Sequence, residues 1–258
     1  MSSNDSTRKT LTVAFFLCIV CSVIVSAAVV MLKPVQEVNK TLDRKRNILA
    51  AAGMLVEDQS VEEQFSRVQT RVVDLRTGKF ADEAVDPDKY DQRRAAKDPQ
   101  SSDVLTDEQD LAKISRREQF ALVYFVQDSQ GEIEKIILPI RGYGLWSTLY
   151  GFIALESDAN TVVGVGFYEH GETPGLGGEV DNPRWKAFWP GKQVYRDGEV
   201  QIGLIKGSVD PDSVNAAWQV DGLAGATLTA RGVTNLVQFW LGENGFKPFL
   251  NNLRTGEA

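Results

Sequence analysis

The sequence predicts an α+β fold: a single N-terminal transmembrane helix followed by one globular domain of antiparallel sheet with flanking helices. Three observations carry this. Leu11 to Leu32 is an uncharged run of 22 residues, long enough to cross a hydrocarbon core as a helix. From Phe120 onward, β-rich runs come in pairs joined by turn residues, the pattern of hairpins and not of a βαβ series. Near the C-terminus Val233, Leu236, Val237, Trp240 and Leu241 recur at helical spacing, and Gly242 is placed to stop the helix.

At 258 residues and 43% apolar content the chain can bury a proper core, as one large domain or two small ones. A net charge of −7 argues against nucleic acid as a partner, because phosphate backbones need a basic surface. The same acidity means that a bound phosphate would rely on backbone donors. Both cysteines, Cys18 and Cys21, fall in the first apolar run, where they read as small packing residues. The globular part therefore has no thiolate for an iron–sulfur cluster of its own.

The apolar run has two readings, an uncut anchor or a secretory signal with Ser26 and Ala28 near the cut. Its length exceeds a signal's apolar region and favours the anchor. Arg8 and Lys9 precede it, whereas Lys33, Lys40, Arg44, Lys45 and Arg46 follow, so charge bias alone does not favour an outside C-terminus. Val35, Val38, Leu42 and Leu49 continue a helical stripe to Gly53, and a second helix is expected through Val61, Phe65, Val68 and Val72. Residues 76–110 turn polar, with Asp86-Pro87 and Asp98-Pro99, and read as an exposed excursion.

Phe120–Val126 and Glu132–Leu138 flank the turn Asp128–Gly131 as a hairpin, and Gly151–Leu155 pairs with Thr161–Phe167. Arg141-Gly142-Tyr143-Gly144-Leu145-Trp146 and Glu172–Gly178 are glycine-rich loops among these strands. Their backbones can approach a flat ring closely, and Leu176 or Trp146 could pack on its face. Core packing is the other reading of Trp146. His170, the single histidine, reads as a hydrogen-bonding residue at the base of its loop. Pro183 opens a short helix, and the aromatics Trp185, Phe188 and Trp189 are expected in the core. No metal site is expected, and no Ser/His/Asp or paired-carboxylate constellation supports a hydrolase. Finally, Asp221-Gly222-Leu223-Ala224-Gly225-Ala226-Thr227-Leu228-Thr229 is a small-residue turn feeding a helix, a geometry that suits a phosphate.

Asp221-x-x-Ala224-Gly225-Ala226-Thr227 closely resembles the flavinylation motif Asp-x-x-(Ser/Thr)-Gly-Ala-Thr of covalent FMN-binding domains, departing from it at Ala224. The anchor, His170–Gly178 and Phe239–Phe246 extend the resemblance to the C subunits of the sodium-translocating NADH:quinone reductases. The resemblance implies FMN joined covalently to Thr227, with Asp221, Gly225, Ala226, Leu228 and Thr229 around the attachment point. It implies a ring lined by Glu172, Thr173, Gly175, Leu176 and Gly177, with Trp146 as a further candidate. Asp221 would matter for loading by a separate flavin transferase that takes FMN from FAD, since a threonine hydroxyl with no adjacent base is a poor nucleophile.

The implied organisation is a cytoplasmic tail over residues 1–10, an anchor over 11–32, a helical and polar connecting region over 33–110, and an FMN-binding domain over 111–258. That domain would lie on the periplasmic side of the bacterial inner membrane. Single electrons would pass between flavin- and iron–sulfur-bearing neighbouring subunits towards ubiquinone, with no complete active site on this chain alone. The nearest rival reading is the FMN-carrying G subunit of the Rnf ferredoxin-linked ion pump. A membrane-anchored binding or assembly protein with no redox role is the reading from another class.

Overall fold

The computed structural model describes residues 6–258. Packing divides the chain into one unit that ends at Arg44 and a second, Lys45–Ala258. The division falls inside helix α1, Thr7–Ala51. Among the described residues α1 is the one helix long and apolar enough to cross a membrane. The stripe from Val35 belongs to the same helix. It ends where Gly53 takes a positive φ of 66°, which lets its N–H reach Ala50 O and the Met54 N–H reach Leu49 O.

The first eight of the twelve strands among the described residues are β1 Val68–Asp74, β2 Lys79–Phe80, β3 Ser102–Val104, β4 Arg116–Glu118, β5 Phe120–Gln127, β6 Ile133–Tyr143, β7 Thr148–Glu156 and β8 Val162–Glu169. Six of them build one sheet in the order β2-β1-β5-β6-β7-β8, with every neighbouring pair antiparallel. β3 and β4 pair separately. The two expected hairpins, β5–β6 and β7–β8, are four consecutive strands of the sheet, and Asp128 caps the first turn by accepting from the N–H groups of Gln130 and Glu132.

Two expectations change. The helix expected through Val61, Phe65, Val68 and Val72 stops at α2, Val61–Phe65, and Val68 opens β1. Adjacent residues Val72 and Val73 are both fully buried, on opposite faces of the sheet. A strand alternates side chains and can bury both, whereas a helix would turn one away. The polar excursion is also not wholly exposed. Tyr90 donates to Phe120 O at 2.8 Å, and Gln92, at the start of α3 (Gln92–Ala95), is buried between the Glu118 carboxylate and the Leu122 N–H. A boundary between residues 110 and 111 would separate β1 and β2 from the sheet they belong to.

The sheet is covered on both faces, which is why β5 reads as an unbroken apolar run. Ala121, Val123 and Phe125 enter one core with α4 (Pro183–Lys186), α5 (Thr227–Trp240) and α6 (Lys247–Thr255). Leu122, Tyr124 and Val126 enter the other, with Ile48, Leu49 and Ala51 from the end of α1. Each large side chain buried this way contributes about 1.5–3 kcal/mol. Trp185 and Trp189 lie in the first core, as expected, whereas Phe188 between them is exposed. A Cβ on Gly232 would stand 2.5 Å from Tyr143 O, so α5 lies almost in backbone contact with the end of β6. That contact brings the N-terminus of α5 to the β6–β7 loop.

Candidate functional site

Three segments meet at that end of the sheet: the β6–β7 loop at residues 144–147, the loop at 172–178 after β8, and the turn at 221–227 entering α5. The turn is held from behind. Asp221 Oδ1 accepts from the Val209 N–H at 2.8 Å, its backbone oxygen accepts from Trp185 Nε1 at 2.9 Å, and the Gly222 N–H donates to Gly207 O at 2.8 Å. Gly225 has a φ of 71°, and the Leu176 side chain packs against it. Thr227 is the first residue of α5. Its N-cap, Ala226, has no side chain able to accept a hydrogen bond, so the first-turn N–H groups receive no side-chain cap.

The two threonines of the turn differ sharply. Thr227 is exposed, whereas Thr229 is 1% exposed and donates its hydroxyl to Glu172 Oε2 at 2.6 Å. The other oxygen of Glu172 accepts the N–H groups of Leu145, Trp146 and Ser147 at 3.0–3.2 Å. Glycines make room for this carboxylate: a Cβ on Gly144 would lie 2.6 Å from Glu172 Oε1, and one on Gly177 would lie 2.7 Å from Oε2 and 2.5 Å from Thr229 Oγ1. His170 sits at the base of the loop, accepting the Glu172 N–H at Nδ1, with Nε2 2.7 Å from Asp181 Oδ2.

Burial acts most strongly on the Glu172 carboxyl and pushes its pKa up, but hydrogen bonds from Thr229 and from the N–H groups of Trp146, Leu145 and Ser147 together outweigh it. The net position is below the ordinary glutamate value. A depressed carboxyl stabilises the fold fully above the unfolded pKa, about 4.3, and the contribution is lost as pH falls through the lower folded value. Melting temperature measured from pH 6 down to pH 3 is therefore expected to fall more steeply for the parent chain than for Glu172→Gln. Parallel curves would show that this carboxylate does not titrate as described.

Among the predicted site residues, Thr227, Leu228, Gly225, Thr173, Gly175, Leu176 and Trp146 are exposed, while Asp221 is half-buried. Trp146, at 66% exposure, is not a core residue. Ala226, Gly177, Glu172 and Thr229 are buried. Tyr143, Trp146, Leu176 and Leu228 are exposed apolar groups on or beside these three segments. The sequence reading passed over Arg231, an exposed cation four residues after Thr227 and so on the same side of α5. The i, i+4 spacing from Thr227 was the available signal. It also passed over Ser147, whose hydroxyl oxygen accepts the Gly171 N–H at 2.6 Å and ties two loops together.

Exposed apolar side chains beside an uncapped helix N-terminus and an exposed hydroxyl are groups that suit a ligand with an apolar body and a phosphate. Comparison with known proteins gives the family. The FMN-binding domain family matches residues 144–242, which takes in all three segments. The chain is 56% identical to the C subunit of the Na(+)-translocating NADH-quinone reductase of Pseudomonas aeruginosa, over the full length of both. It is 47% identical to the corresponding Yersinia pestis protein, over 98% of this chain and 96% of that one. The crystal structure of Shewanella oneidensis NqrC superposes with a TM-score of 0.77 at 38% identity, covering 84% of this chain and 99% of that one. With that identity across its whole length, this chain belongs to the family of C subunits of the Na(+)-translocating NADH-quinone reductase, an oxidoreductase complex of the inner membrane, and carries that family's FMN-binding domain.

Proposed function

We propose that this chain holds FMN covalently through a phosphoester to Thr227 and relays single electrons between redox centres of the reductase towards ubiquinone. The observation that carries the reading is the contrast within the turn. Thr227 presents a free-standing hydroxyl at an uncapped helix N-terminus, while the Thr229 hydroxyl is buried and committed to Glu172. One hydroxyl is available for attachment and the other is not.

Loading replaces the Thr227 hydroxyl proton with a bond to phosphorus, and a flavin transferase drawing on FAD would release AMP in exchange. Asp221 holds the acceptor turn by its bond to the Val209 N–H while this happens. The first-turn N–H groups of α5 and the helix dipole then stabilise the remaining phosphate charge by about 0.3–2 kcal/mol, and Arg231 adds a cation on the same helix. Thr173, Gly175, Leu176, Leu228 and Trp146 line the ring, with Gly177 and Ala226 as its floor. When bound, FMN supplies the one-electron chemistry. The protein's share is to hold the ring at a fixed place near its neighbours, which a tether does without a dissociation constant.

On this reading residues 1–10 lie in the cytoplasm, α1 crosses the inner membrane, and the FMN-binding domain is periplasmic. Flavin- and iron–sulfur-bearing subunits are its partners. Whole-chain mass spectrometry of the protein from a host with a flavin transferase tests the central claim. A mass increased by one FMN, with an ultraviolet-fluorescent band after denaturing electrophoresis, is the expected result. A bare polypeptide mass would refute it.

A further inference from the structure

Glu172 was expected to line the ring, yet it is only 5% exposed. Its two oxygens receive four donors from two other segments: the N–H groups of residues 145–147 and the hydroxyl of Thr229, two residues beyond the acceptor. It belongs itself to the third segment. One side chain thus bonds to both of the elements that its own loop meets, and two glycines are needed to leave it space.

We propose that Glu172 is the positioning residue that locks the 144–147 loop, the 172–178 loop and the N-terminal turn of α5 into one rigid pocket, and so fixes the ring of an FMN carried on Thr227. The inference rests on the function proposed above. A buried carboxylate that loses its donors must find water or others, so the four bonds hold the three segments together more firmly than their exposed apolar groups can. The group also keeps a fixed negative charge under the pocket, which opposes adding an electron to whatever the pocket holds.

The test uses the full-length chain in detergent, produced with a flavin transferase, as parent, Glu172→Gln, Thr229→Val and Thr229→Ser. Three quantities are read: covalent flavin by in-gel fluorescence, ring mobility by fluorescence anisotropy, and midpoint potential. Glu172→Gln keeps the shape but removes the charge. It is expected to lower the anisotropy and to shift the redox equilibrium about tenfold towards the reduced form, about 59 mV for a one-electron couple. Thr229→Val keeps the charge but removes one donor, and is expected to lower the anisotropy with a smaller change in potential. Thr229→Ser restores the hydroxyl and should match the parent. If Glu172→Gln fails to accumulate, Thr229→Val against Thr229→Ser decides. A change in anisotropy or potential in either variant, with Thr229→Ser at parent values, supports the assignment. Flavinylated variants that match the parent in both quantities overturn it, as does a Thr229→Ser chain that behaves like Thr229→Val. A parent chain with no covalent flavin overturns the proposed function as well, so the two failures are distinguishable.

Discussion

A Thr227→Ala chain, produced alongside a flavin transferase, is expected to run as a non-fluorescent band and to have the mass of the bare polypeptide. The loss should be complete. The nearest hydroxyl in sequence, Thr229, is 1% exposed and donates at 2.6 Å to a buried carboxylate, so it cannot reach an incoming phosphate without breaking open the pocket floor. Thr227→Ser keeps a hydroxyl at the same exposed position and should retain flavin. Folding should be unaffected in both, because position 227 is exposed and its side chain caps nothing; a melting temperature within a few degrees of the parent checks this. Covalent flavin on the Thr227→Ala chain would move the attachment point elsewhere and dismantle the proposed site.

The largest effect on stability is expected from Glu118→Ala. Glu118 is fully buried in β4, where its oxygens accept from Arg141 Nη2 at 2.6 Å and from Gln92 Nε2 at 2.7 Å. Arg141 lies on β6, and its backbone oxygen accepts Nε1 of Trp240, a buried residue of α5. Removing the carboxylate leaves a nearly buried guanidinium without its counter-charge, which costs about 3–5 kcal/mol. In a domain of this size that corresponds to a fall in melting temperature of roughly 6–20 °C. Because α5 also carries the acceptor turn, flavin loading should fall with it. A loss of less than about 1 kcal/mol by denaturant titration would show that water reaches Arg141 and replaces the carboxylate.

Legibility from sequence differed by element for physical reasons. The anchor, the two hairpins and α5 were readable because each is specified by a local period: an unbroken apolar run, strands separated by a short turn, and a stripe at i, i+3 and i+4. β1 was misread because Val61, Phe65, Val68 and Val72 fit a helical period by coincidence. What makes Val68–Asp74 a strand is its antiparallel register with β5, from Val68 against Val126 to Asp74 against Phe120, a contact some fifty residues away in sequence. The 76–110 segment looked expendable because polar residues dominate it. Its contribution comes through single polar groups, Tyr90 and Gln92, whose partners lie about thirty residues on.

The site divides in the same way. Residue types in an ordered string point to its chemistry by themselves: a threonine after small residues at a helix start, and glycines where a backbone must come close. Those are local properties of the chain, and they survive without knowledge of any distant contact. Which threonine is free, which glutamate is buried, and that Trp146 is exposed rather than in the core were decided by the tertiary structure alone. Exposure and hydrogen-bond partners depend on segments brought together from residues 144, 172 and 221, and no local pattern carries that information.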